Sequence, residues 1–306
     1  MMNYKDDDGK TAVAIVMNPY TGNFPIGFDF SEGPKYLETG GLKEKLAHWG
    51  CRLKQISTAG LTREEEAHQG CWHRLGLVLG HLRELVAANQ RRRCFSIGLL
   101  ASCNSLLGML AGLQHSGGGR PLKVGLVWLD AHGDFNTPET TLSGNLGGMP
   151  VAVAAGLCLT RLRLQAGLDP VLPTKYVVMG GLRNVYPYEQ ELLDRSDVQF
   201  LSTEDLITVS DNIDFQMERL SKLTDIIYVH VDLDIINPEE VRGPNFPAPG
   251  GPTSDELGAA LEKMFRWEKA AAFGVASTPY KDDDEGINRN AAYRLIEGVI
   301  NGLKAR

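Results

Sequence analysis

The chain has 306 residues, 43% of them hydrophobic and 23% charged, with a formal net charge of −7. That length fits one large α/β domain or two small ones. No apolar run approaches the roughly 18 residues of a membrane span, and the acidic surplus argues against nucleic acid as a partner. Residues 1–10, MMNYKDDDGK, are polar and acidic, unlike a secretory leader, and are expected to be flexible. Five scattered cysteines (Cys51, Cys71, Cys94, Cys103 and Cys158) without a CxxC pair fit reduced cytoplasmic thiols better than a disulfide framework.

Short apolar runs alternate with amphipathic stretches along the chain. Thr11–Met17 reads as a strand, Gly33–Gly50 as one or two short helices, and Cys51–Ser57 as a second strand. Thr62–Gln90 is a long helical region, Cys94–Leu100 a strand and Asn104–Gln114 a helix. Lys123–Asp130 is almost wholly apolar, as a strand covered on both faces must be. Further strands are expected at Lys175–Met179, Ile226–Asp234 and Ala271–Ser277, with helices at Asp255–Phe265 and Asn290–Leu303. The alternation predicts a single three-layer α/β/α domain, residues 1–306, around a mostly parallel sheet. Ligand sites in such sheets lie beyond the carboxyl ends of the strands.

Two strand ends carry chemistry-bearing residues. The first run has Asp130, His132 and Asp134 at every second position, and the second has His230, Asp232 and Asp234. One such motif alone would read as a turn or a helix cap. Two of them ending apolar strands gather four carboxylates in a poorly hydrated place, where desolvation and mutual repulsion oppose ionisation. Divalent cations resolve that conflict. An oxygen-rich donor set with an imidazole suits Mn²⁺ better than Zn²⁺.

The segment DAHGDFNTPETTLSGNLGGMP (Asp130–Pro150) closely resembles the arginase signature of the ureohydrolase superfamily. VDLDIINP resembles its second signature, GFDFSEGPKYLETGGLKEKL (Gly27–Leu46) its N-terminal segment, and MGGLRNVYPYE (Met179–Glu189) its central segment. The resemblance implies an arginase-like fold and two Mn²⁺ ions that share an attacking hydroxide, cleaving a guanidino C–N bond to release urea. It assigns Asp130 and Asp232 as bridging ligands, Asp134 to one ion, and His132 with Asp234 to the other. Asp134 would also pass a proton to the leaving amine. Asn136, Ser143, Asn145, Tyr186 and Glu189 fall at substrate-binding positions. A trimer or hexamer is implied by analogy.

Four positions depart from the family pattern. Cys103 stands where the family has a histidine ligand; it would bind metal as a thiolate, sit beside a weakened site, or be a small core cysteine. Gly147 replaces the histidine assigned to proton shuttling, which leaves water or His230; a buried structural role is the other reading of His230. Ala276 replaces a glutamate that pairs with the guanidinium, with the acidic run Asp282–Glu285 nearby in sequence. Tyr186 and Asn184 replace aspartates, one of which helps hold the substrate's α-amino group. The substrate is therefore expected to be arginine or a derivative, such as arginine within a peptide, converted to ornithine. N-hydroxy-arginine, suggested by the Cys103 and Gly147 pair, is the alternative. An amidine or amide substrate and a non-catalytic arginase-like protein are further readings.

Overall fold

A computed structural model describes residues 4–22, 29–243 and 246–306. Its centre is an eight-stranded sheet: β1 (Thr11–Asn18), β2 (Cys51–Thr58), β3 (Phe95–Leu100), β4 (Val124–Leu129), β5 (Val177–Gly180), β6 (Gln199–Leu201), β7 (Ile226–Asp232) and β8 (Ala270–Ala276). The strands lie in the order β2-β1-β3-β8-β7-β4-β5-β6. Every neighbouring pair is parallel, so the sheet is fully rather than mostly parallel.

Alternation along the strands sorts side chains into two cores. Val127 and Leu129 of β4, with Val229 and Val231 of β7, face one helical layer that contains Ser254–Phe265 and Ile287–Lys304. Leu126 and Trp128, with Tyr228, face the other layer, built on Cys71–Arg91 and Leu106–Gln114. Cys71–Arg91 is helical because Leu75, Val78, Leu79, Leu82 and Val86 recur at helical spacing and are buried. The second helix packs so closely on it that a Cβ at Gly108 would lie 2.7 Å from the Leu79 carbonyl oxygen.

Several expectations are corrected. The helical region from Thr62 is broken: Arg63–Glu66 is capped by Thr62 and Glu65, and the long helix restarts at Cys71 after Gly70. β6 has only three residues and no apolar run to announce it. At the start of the described chain, Tyr4 is buried and its hydroxyl donates to Gln90 at 2.9 Å. Residues 1–3 lie outside the described residues, as do Gly27 and Phe28 of the N-terminal segment. No described helix is long and apolar enough to cross a membrane.

Candidate metal centre

The site forms where the chain leaves β3, β8, β7 and β4, four adjacent strands of the sheet. The β4–β7 register pairs Trp128 with His230 and Leu129 with Val231, so Asp130 and Asp232 emerge next to each other. Both strands end sooner than expected. β4 stops at Leu129, and β7 stops at Asp232, where a 3₁₀ turn begins. Each leading aspartate then turns its own chain. Asp130 accepts the His132 N–H at 2.7 Å, and Asp232 accepts the Asp234 N–H at 3.1 Å.

These turns bring the predicted ligands into two overlapping groups. Cys103, Asp130 and Asp134 form one, and Asp130, His132 and Asp234 the other; within each, the potential ligand atoms lie within 4.8 Å of one another. Asp232 lies beside the first group, where its Oδ2 accepts from the Cys103 Sγ at 2.8 Å. His132 Nδ1 is 3.3 Å from both Asp130 Oδ1 and Asp234 Oδ2. Asp134 sits at φ 48°, a left-handed conformation that aspartate tolerates better than most residues.

The electrostatics of this arrangement call for positive charge. Burial and the neighbouring Asp234 push the Asp130 carboxyl well above the usual carboxylate range. Burial and Asp130 do the same to Asp134. Burial raises Asp232 as well, reinforced by Asp234. Burial works to lower the His132 imidazole, but Asp130 and Asp234 outweigh it and push it up to about 12. Burial and three carboxylates, Asp232 foremost, hold the Cys103 thiol well above its ordinary value. Asp234 Oδ1 is buried without a hydrogen-bond partner. A buried polar atom with no partner beside mutually repelling carboxylates is the mark of a cation site. Oxygen donors, one imidazole and one sulfur fit divalent metal ions.

The surrounding structure braces the ligands. Arg183 donates to the carbonyls of Gly181, Ile235 and Ala248, tying the turn after Asp234 to two other loops. Glu189 accepts the Phe135 N–H at 2.8 Å and the Tyr186 N–H at 3.4 Å, holding the loop that follows Asp134. A Cβ at position 133 would meet a Glu189 carboxylate oxygen at 2.6 Å, so any larger residue there would push Glu189 out of this brace.

Asn136, Ser143, Asn145, Tyr186 and Glu189 all line the cavity above these groups. Glu189 is already occupied by the backbone, which commits it to holding loops. His230 is placed differently from what proton shuttling requires. It does not line the cavity and has no exposed surface. Its ring stacks on Trp128 with centroids 4.3 Å apart, and burial lowers its pKa to about 3. Gly147 lines the cavity with no titratable group of its own. Ala276, the last residue of β8, is fully buried in the core between the sheet and one helical layer. Asp283 of the acidic run does not reach the cavity; it accepts from the Tyr36 hydroxyl and from the backbone of Asn288 and Arg289.

Ser277 escaped the sequence reading. It lines the cavity, holds φ 57°, and donates from Oγ to Asp232 Oδ2 at 2.6 Å. Its only sequence signal is its place immediately after an apolar strand.

The Arginase family model matches residues 104–300, more than half of the chain. An arginase of Brevibacillus brevis is 31% identical over 280 residues, covering 88% of this chain and 91% of that protein. The crystal structure of arginase from Bacillus subtilis superposes with a TM-score of 0.82 at 22% identity, over 94% of this chain and 98% of that one. Formimidoylglutamase from Bacillus subtilis subsp. subtilis str. 168 gives 0.76 at 14% identity, over 98% and 89%. At such identities the two structures speak for the fold, and the sequence matches speak for the family. Together with a paired ligand set at the strand ends, they establish that the protein belongs to the arginase family, hydrolases built on a binuclear metal centre.

Proposed function

We propose that the protein is a Mn²⁺-dependent ureohydrolase that acts on arginine within a peptide, releasing urea and leaving ornithine. The observation that carries this reading is a pair of ligand groups sharing Asp130 beneath a cavity whose outer wall presents Tyr186 and Asn184. Neither position carries a carboxylate, so the one that would help anchor a free α-ammonium group, at Tyr186, is missing. An acylated amine has no charge to anchor.

The rim suits a larger substrate. Tyr186 and Phe246 are large aromatic side chains, each at least 40% exposed. Tyr186 and Phe246 line the cavity directly. Such side chains offer rigid contact area to the residues flanking a peptide arginine.

Cys103, Asp130, Asp134 and Asp232 would hold one ion, and Asp130, His132, Asp232 and Asp234 the other. What such a pair of cations supplies is a water acidic enough to be a nucleophile at neutral pH. The residues themselves do the rest. Asn136, Ser143 and Asn145 orient the substrate through hydrogen bonds. Asp134 takes a proton from the attacking water and returns it to the departing side-chain nitrogen as the C–N bond breaks. With glycine at 147 and His230 outside the cavity, Asp134 is the proton carrier best placed among the described residues.

A second reading, N-hydroxy-arginine as substrate, is favoured by Cys103 and Gly147 together. A substrate profile separates the two. Urea release from Mn²⁺-loaded protein is compared on arginine, N-hydroxy-arginine and an N-acetylated arginine amide. The peptide reading expects the acylated amide to have the highest kcat/KM. A preference for N-hydroxy-arginine would replace it with the second reading.

A further inference from the structure

His230 is the fully buried histidine that the chemistry above leaves unused, yet the fold holds it with unusual care. Tyr228, His230 and Asp232 alternate on one face of β7. The β4–β7 register sets Trp128 beside His230, and the two rings lie 5° from parallel. The Tyr228 hydroxyl is 2.9 Å from His230 Nδ1. The other ring nitrogen, Nε2, is 3.4 Å from the Cys103 sulfur.

The hydrogen-bond directions follow from the partners. The Cys103 sulfur points its own donor at Asp232 Oδ2. It is left to accept from Nε2–H, which requires the Tyr228 O–H to donate to Nδ1. The chain Tyr228–His230–Cys103 thus runs one way, through the sulfur and on to Asp232. A metal-ligating group is commonly oriented by such an outer partner, and loss of that partner weakens the site.

We propose that His230, set by Tyr228 and Trp128, is a positioning residue that aims the Cys103 sulfur as a ligand into the half of the metal centre formed with Asp130 and Asp134. The inference rests on the metal-centre reading above. It assigns a purpose to the departure at position 103: where the sulfur replaces an imidazole ligand, the imidazole stands one layer behind and steadies the sulfur.

Cadmium is the probe, because a cadmium–thiolate bond gives a near-ultraviolet charge-transfer band that carboxylate and imidazole ligands do not. The full-length protein, stripped of metal, is titrated with Cd²⁺ and followed by absorption and calorimetry. The wild type should show the band, and Cys103→Ala should lack it. His230→Leu should diminish the band and weaken the Cd²⁺ binding that produces it about tenfold. His230→Gln, which keeps an N–H donor, should restore much of it. Tyr228→Phe should give a smaller loss, and it keeps the test alive if His230→Leu fails to fold. In a Cys103→Ala background, His230→Leu should change Cd²⁺ affinity no further. The proposal is overturned if His230→Leu matches the wild type, or if it weakens binding equally with and without the Cys103 sulfur. Cd²⁺ binding with no thiolate band in the wild type would also overturn it, while leaving the two-metal reading intact. Failure to bind either Cd²⁺ or Mn²⁺ would remove both.

Discussion

Asp130 and Asp232 leave neighbouring strands one residue beyond the register pair Leu129 and Val231, and each folds back to accept the N–H two residues on. The two ligand runs are therefore built alike. Each aspartate shapes the turn that presents the next ligand.

Asp232→Asn should remove a bridging ligand while keeping an acceptor for the Asp234 N–H. Loss of even an outer partner of a metal site costs about 10–100-fold in affinity or activity. Loss of this group should exceed about 100-fold in urea release, with metal content falling in parallel. Elemental analysis together with a urea assay checks it; a variant retaining most of its turnover would remove Asp232 from the bridging role.

Ser277→Ala should act more gently. It deletes the 2.6 Å hydrogen bond to Asp232 Oδ2 without touching the ligand set. Mn²⁺ affinity should drop about tenfold, with near-normal turnover at saturating Mn²⁺. Metal titrations of kcat distinguish that outcome from an effect on the substrate.

How much of this was legible before the fold was known differs from residue to residue. The candidate ligands stood out in the sequence, because two such runs gather four mutually repelling carboxylates at the ends of apolar strands. Their assembly was not explained by strand alternation alone. β4 ends before Asp130, and His132 and Asp134 are delivered by a turn. His230 shows a second limit. Period two correctly placed it on the face of Asp232, but periodicity says nothing of depth, and two residues inward put it beneath the cavity floor. Ser277 depended on the β7–β8 register, which pairs Asp232 with Ala276 across 44 residues of chain. β6 was too short, with Gln199 and Phe200 exposed, to leave a pattern.

Tyr186→Asp should shift preference toward free arginine. The new carboxylate would sit at the cavity wall where an α-ammonium group can reach it. A hydrogen bond to a charged group contributes about 1.5–3 kcal/mol. The ratio of kcat/KM for free arginine over the acetylated amide should therefore rise at least about tenfold. An unchanged ratio would separate Tyr186 from substrate selection.

Away from the site, Asp205 gives a pH-dependent prediction. Burial opposes its ionisation, but hydrogen bonds from Ser210, Ser202 and Asn212 prevail and hold its carboxyl down to about 2. A depressed carboxyl stabilises the fold above its unfolded pKa of roughly 4, and that contribution disappears as pH falls through about 2. Asp205→Ala should cost about 1 kcal/mol near neutral pH, the usual worth of a cap. The gap between the two unfolding curves should close in strong acid. Denaturant unfolding at both pH values measures it.

The central claim is tested most directly by adding Mn²⁺ stepwise to metal-free protein while urea release from an arginine-containing peptide is followed. Activity should be negligible without metal and should climb to a plateau as occupancy approaches two ions per chain, with ornithine left in the peptide. A protein that takes up no Mn²⁺, or that fills with metal and releases no urea from any guanidino substrate, would contradict the account.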